Sequence, residues 1–168
     1  MIQTSARRER RRYAPVAVAV MAAWQLACSH PTASLLPLDT PALSLEQPMP
    51  APGQSARRVA NFGGGDGVVI PSIALAGQPL RVTVTTYSGG CISEDTTVVS
   101  SEAHAADIVP FQRWYQPRQN EGCTMELRVN KRQVELTFAQ PGVAVVRVYG
   151  RGQPDGSLIT VVREVKVE

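Results

Sequence analysis

Histidine is almost missing from this 168-residue sequence: only His30 and His104 occur. A hydrolytic triad needs a histidine held by a third group and facing a nucleophile. No serine or threonine here sits in a nucleophile elbow that would serve His104. Close cysteine pairs of the kind zinc favours are missing as well, and Cys91, His104 and Cys123 offer only three soft ligands. The acids Glu94, Asp95, Glu102 and Asp107 lack the short Asp/Asn repeat of a calcium loop. Nor does any spacing mark two of them as a general acid and base. Gly63-Gly64-Gly65-Asp66-Gly67 is followed by Val68-Val69-Ile70-Pro71 instead of a lysine and a helix. It reads as a loop leading into a strand and not as a phosphate cradle. No catalytic residue, metal or cofactor is expected. The length suits one ordinary domain with a tail and excludes a two-domain cofactor enzyme.

Long apolar runs are also lacking. The uncharged stretch Tyr13–Leu26 falls short of the roughly 20 residues that a membrane span needs. It follows a basic cluster, Arg7, Arg8, Arg10, Arg11 and Arg12, relieved only by Glu9. Basic residues, then an apolar stretch, then small residues form the layout of an export signal. Retention of the arginines on the cytoplasmic side would orient it.

This leader changes the meaning of the overall charge. The chain carries a formal +3 and a pI near 9.0, which taken alone points to nucleic acid or an acidic surface. The first 27 residues account for +4, whereas residues 28–168 hold twelve basic side chains against thirteen acidic ones. The body is therefore close to neutral, and no nucleic-acid partner is expected. What basicity remains lies around Cys123, at Arg113, Arg118, Arg128, Lys131 and Arg132.

The leader ends Trp24-Gln25-Leu26-Ala27-Cys28-Ser29. This resembles the lipobox of bacterial lipoproteins, in which a cysteine after a small residue is lipidated and becomes the new N-terminus. Ala27 and Cys28 match that pattern; Gln25 departs from it, since an apolar residue is usual there. The resemblance implies lipidation at Cys28 and attachment to a membrane. Ordinary cleavage after Ser29, with Ala27 and Ser29 as the small pair, and an uncleaved N-terminal anchor are the alternatives.

Three cysteines are present, and an odd count in an exported protein needs an explanation. Lipidation of Cys28 leaves Cys91 and Cys123, and in an oxidising compartment such a pair is expected to form a disulfide. Residues 29–56 hold Pro31, Pro37, Pro41, Pro48, Pro50 and Pro52. Proline at that density favours an extended tether.

From about Arg57 onward the periodicity is that of strands, with no sustained helical repeat. Leu80, Val82 and Val84 alternate with polar residues up to Tyr87. Met125, Leu127 and Val129 form a second alternating run, and Val134, Leu136 and Phe138 a third. Asn130-Lys131-Arg132 reads as the hairpin turn between them. Pro141-Gly142 and Pro154-Asp155-Gly156 are further turns, flanking strands at Val143–Tyr149 and Leu158–Val167. Shorter strands are expected at Val68–Ile70, Thr96–Ser100 and Ala106–Val109. Seven or eight short strands in this span predict an all-β antiparallel sandwich over residues 57–168.

The Pro-Gly turn, the valine-rich strand ending at Tyr149-Gly150 and the closing hairpin resemble an immunoglobulin-like domain. The body is also similar to small exported Ig-like domains of bacterial lipoproteins. The features that carry this are Thr85-Thr86-Tyr87-Ser88-Gly89-Gly90-Cys91, Ile108-Val109-Pro110, Cys123, Phe138 and Pro141-Gly142. The resemblance implies a fold and a compartment but no catalytic residue. It departs from antibody-type domains in its cysteines, which flank strands and would staple one end of the sandwich.

Within the expected disulfide loop, Phe111-Gln112-Arg113-Trp114-Tyr115-Gln116-Pro117-Arg118 combines three of the nine aromatics with two arginines. Trp, Tyr and Arg dominate binding hot spots, so Arg113, Trp114, Tyr115 and Arg118 form the candidate partner-binding loop. The competing reading has Phe111 and Trp114 plugging the open end of the sandwich. The expected role is non-enzymatic binding or scaffolding in the cell envelope, toward a protein or glycan partner. A glycan-binding accessory domain of an envelope enzyme system is the alternative.

Overall fold

The computed structural model describes residues 45–168; the expected export leader, Cys28 and residues 29–44 of the expected tether lie outside them. The described residues contain no α-helix. The strands are β1 (Ser55–Val59), β2 (Asn61–Phe62), β3 (Val68–Val69), β4 (Ile73–Ala74) and β5 (Pro79–Ser88). They continue with β6 (Ile92–Ser101), β7 (Ala105–Tyr115), β8 (Arg128–Thr137), β9 (Gly142–Arg151) and β10 (Leu158–Val167). Gly64–Gly67 forms a single 3₁₀ turn.

All ten strands join in one curled sheet. One limb runs β6–β7–β9–β10, with β4 at the far edge, and β1 continues the β9 side of β7. The other limb pairs β8 with β5 over ten residues and adds β2 and β3 on the opposite edge of β5. β2 joins the limbs, since Asn61 pairs both Tyr87 of β5 and Arg151 of β9. The inner faces of the limbs meet in a core that includes Val82, Val84, Ile108, Leu136, Phe138, Val146, Val148 and Val165. Burial of each such side chain is worth about 1.5–3 kcal/mol.

The sheet is mixed and not purely antiparallel. β7 with β9, β2 with β9 and β4 with β10 are parallel pairs. The chain leaves β7, crosses to the other limb as β8, and returns as β9 beside β7. Such a crossover is what a parallel pair requires. Alternation of side chains finds strands but carries no information on which strand lies beside which.

Two expected boundaries move. Asn130-Lys131-Arg132 is not a turn, because β8 passes through it without interruption. From Asn130 onward the even positions of β8 face inward. Val134 and Leu136 are therefore buried, and Val129 is exposed. The inward positions nearest the start of the strand are Asn130 and Arg132. These polar residues break the apolar alternation and imitate a turn.

Strand β7 also runs beyond Val109, through Pro110 to Tyr115. Pro110 lacks an N–H, and it lies where the β6 register slips. Glu94 faces Gln112, but Thr97 faces Pro110, which places one extra residue in β6 as a bulge. Proline is tolerated in a strand at such a site.

Residues 46–56, read from sequence as tether, are bonded to the sheet. Gln47 exchanges hydrogen bonds with the backbone of Arg57. Glu46 accepts from the Val59 N–H at 2.8 Å and forms a two-pronged pair with Arg151. Ser55 and Ala56 already belong to β1.

Candidate functional site

Cys91 and Cys123 form the expected disulfide, with their Cα atoms 5.1 Å apart. Cys91 lies in the tight turn from β5 to β6, and Cys123 in the segment from β7 to β8. The turn accepts that segment closely only because it is made of glycine. Gly89 and Gly90 both have positive φ, +137° and +61°. A Cβ on Gly89 would collide with the Glu126 carbonyl, and one on Gly90 would sit 2.7 Å from the Thr124 carbonyl. The disulfide therefore closes a backbone-on-backbone contact.

A second fastening lies just upstream. The Tyr115 hydroxyl donates to Glu121 at 2.5 Å, and the same carboxylate oxygen accepts from the Arg118 N–H at 3.1 Å. The Tyr115 hydrogen bond, helped by the Arg118 N–H, holds Glu121 below its ordinary value of 4.5. The same bond to Glu121 raises Tyr115 above 10.0. Arg128 then donates twice to Glu126, at 2.9 and 2.8 Å, and this pairing lowers Glu126.

Every residue from Arg118 to Val129 is exposed. Met125 is 101% exposed, Leu127 68% and Val129 58%. The alternating run Met125-Leu127-Val129, expected as a strand, is one only at Val129; Met125 and Leu127 precede β8, and all three side chains are exposed. The segment is a wall between two open pockets. One, about 590 Å³, is lined by Phe62, Tyr87, Leu127, Pro154 and Ile159 among others. The other, about 630 Å³, is lined by the glycine turn, Tyr115, Glu121, Glu126 and Arg128.

The four residues expected to form a recognition loop do not converge. Arg113, Trp114 and Tyr115 lie in β7, where neighbours point to opposite faces. Arg113 is exposed and pairs with Asp95 at 3.4 Å. Trp114 is half-buried beneath the Arg58 guanidinium, 4.8 Å from its ring centre. Tyr115 and Arg118 do come together, through Glu121. Phe111 is fully buried with Val59, Val109 and Tyr149, apart from the main core. Phe111 and Trp114, three residues apart on a strand, face opposite sides and cannot form one plug.

The basic residues around Cys123 are similarly dispersed. Arg132 is a structural residue, with only 9% of its side chain exposed. It donates to the carbonyls of Asp95 and Phe111, both at 2.8 Å, and to the hydroxyls of Thr86 and Thr97. Burial lowers it despite the nearby Glu94 and Asp95. Burial pushes Asp95 up, but the Thr96 N–H together with Arg57 and Arg113 outweighs it and holds Asp95 below 3.8. Asp107 accepts two bonds from Arg147 and a third from the Tyr149 hydroxyl. Among the described residues no group of three or more metal-ligating side chains comes together.

Sequence reading singled out Tyr115 and Arg118 but missed Glu121, which lies between Arg118 and Cys123 with no spacing that marks it. It read Met125, Leu127 and Val129 as a strand run, and alternation alone does not say which face is buried. No family model matches the chain, and neither does any curated protein or solved structure.

Proposed function

We propose that this protein is a non-enzymatic, exported binding module of the cell envelope, which takes a protein partner on its disulfide-fastened end. The observation that carries this is the exposure of Met125, Leu127 and Val129 at the end of a segment held by the Cys91–Cys123 bridge and the Tyr115–Glu121 bond. Aliphatic side chains displayed on an ordered segment favour a protein partner. A segment already ordered loses less conformational freedom on binding.

The export and anchoring part of the reading rests on the leader and on Cys28, with residues 29–44 as the tether to the membrane. The immunoglobulin-like part rests on two packed limbs of strands, on the valine-rich β9 and on its hairpin to β10. A disulfide in the body suits an oxidising compartment.

A photoactivatable residue at position 125, introduced in the producing cell, tests the reading. Irradiation is expected to yield a discrete cross-linked envelope protein, lost in the Leu127→Ser variant. Absence of any cross-link would remove the proposal. The glycan-accessory reading is favoured by one feature, Tyr87 beside Phe62 in the 590 Å³ pocket. Binding on a glycan array that is abolished by Tyr87→Ala would shift the function to it.

A further inference from the structure

The ten strands leave few long backbone edges open, and most of those are blocked. β1 is covered by Gln47 and Glu46. β6 is interrupted by its bulge, where the Arg132 guanidinium caps the Asp95 carbonyl. β4 covers only the last two residues of β10, and the rest of that edge is flanked by the Arg163 side chain, which reaches the glycine loop at Gly65. β8 differs. It pairs with β5 over all ten residues without a register shift. Among the described residues no backbone or side-chain group pairs with its other edge. It contains no proline and no bulge. Every second N–H and C=O along it points away from β5, and such an edge is a template for another strand.

The outer face of β8 says what that strand is. Its residues are Val129, Lys131, Gln133, Glu135 and Thr137, all exposed. We infer that a second copy of this chain pairs there, antiparallel, with Gln133 facing Gln133 on the two-fold axis. In that register Lys131 faces Glu135 of the other copy, and the symmetry makes this pair twice. Val129 then faces Thr137. A register two residues off in either direction leaves Lys131 and Glu135 each opposite a neutral or apolar residue. Registers of the other parity turn the inward residues of one copy outward. Charge complementarity and parity together select one alignment. Glu135 already touches Arg81 of β5 at 3.4 Å, with both side chains more than 60% exposed. It has room for a second cation. The inference shares only Val129 with the disulfide-fastened end; charge exchange at Lys131 and Glu135 leaves Met125 and Leu127 unaltered, so it is tested separately from the partner reading.

Charge exchange tests it with the full exported chain. Sedimentation equilibrium of the unaltered protein is expected to show a monomer–dimer equilibrium that weakens as salt rises. Lys131→Glu alone and Glu135→Lys alone each place like charges opposite one another twice per dimer, and dissociation is expected to become roughly tenfold easier or more. Mixing these two single variants restores Lys–Glu pairs across the axis, and so does the double variant. Both are expected to dimerise as the unaltered chain does. Gln133→Cys is expected to form an inter-copy disulfide under oxidation, mapped to 133–133. A chain that stays monomeric at every concentration overturns the inference. So does a dimer indifferent to both single reversals, or one whose amide-exchange protection falls on β6 instead of β8.

Discussion

The guanidinium of Arg132 donates to the carbonyl oxygen of Phe111 across the seam between the two limbs of the sheet, at 2.8 Å. Arg132 belongs to β8 and Phe111 to β7, strands that do not pair. With its bond to Asp95 at the β6 bulge, the side chain closes the side on which β6 and β8 fail to meet. Loss of it leaves two carbonyls of the β6–β7 limb without that donor. Arg132→Met is expected to cost about 2–4 kcal/mol, the penalty of stranding buried acceptors together with the acids beside them. Urea unfolding with the disulfide intact measures it. A loss below about 0.5 kcal/mol, the scale of an ordinary surface substitution, would show that water replaces the side chain at no cost.

The disulfide joins residues 32 apart in sequence. Constraint of the unfolded chain by a loop of that size is worth about 3–4 kcal/mol. The double variant Cys91→Ser, Cys123→Ser is therefore expected to unfold at clearly lower urea. It should also lose amide protection from residue 118 to 127 before the core strands open. A drop in stability without selective loosening of that segment would separate the bridge from the ordering of the surface.

Glu121 and Glu126 titrate below their ordinary value of 4.5 because their ionised forms accept hydrogen bonds from Tyr115 and Arg128. A carboxyl group lowered by folding stabilises the fold above its unfolded value. That contribution is lost as pH falls through the folded value. The segment is expected to keep constant amide protection at neutral pH and to loosen only below pH 4.5. On the alkaline side Tyr115 is raised above 10.0 by the same bond, so the bond persists until the phenol ionises at still higher pH. Tyr115→Phe weakens this acid response at Glu121, leaving only the share of the Arg118 N–H, and leaves that at Glu126 unchanged. Full retention of both in Tyr115→Phe would contradict the assignment.

Strand content was legible in the sequence wherever apolar side chains alternate and are buried, as in Leu80-Val82-Val84 and Val134-Leu136-Phe138. It failed where chemistry interrupts the pattern. Arg132 and Asn130 occupy inward positions with polar groups because Thr86, Ser88 and the β6–β7 backbone supply their partners. Those partners lie at least 20 residues away, beyond the reach of any local signal. The same holds for the disulfide-fastened end. Cysteine count pointed to the bridge, but the outward face of Met125 and Leu127 depends on Gly89 and Gly90 admitting the backbone of residues 124–126.

Glu46 is the described residue that binds the N-terminal segment most firmly to the domain. Its carboxylate accepts from the Val59 N–H at 2.8 Å and from Arg151 at 2.6 and 3.1 Å, while Arg151 also donates to the Gly156 carbonyl. The Glu46 and Arg151 side chains are only 21% and 18% exposed, so solvent screens the pair less than a surface bridge. Glu46→Ala is expected to cost about 1–3 kcal/mol, since it strands a partly buried guanidinium and a backbone donor. It is also expected to make the chain cleavable between residues 46 and 54, while the unaltered protein resists there. Limited proteolysis followed by mass measurement reads both at once. Equal cleavage in the two proteins would move the start of the folded domain back toward β1.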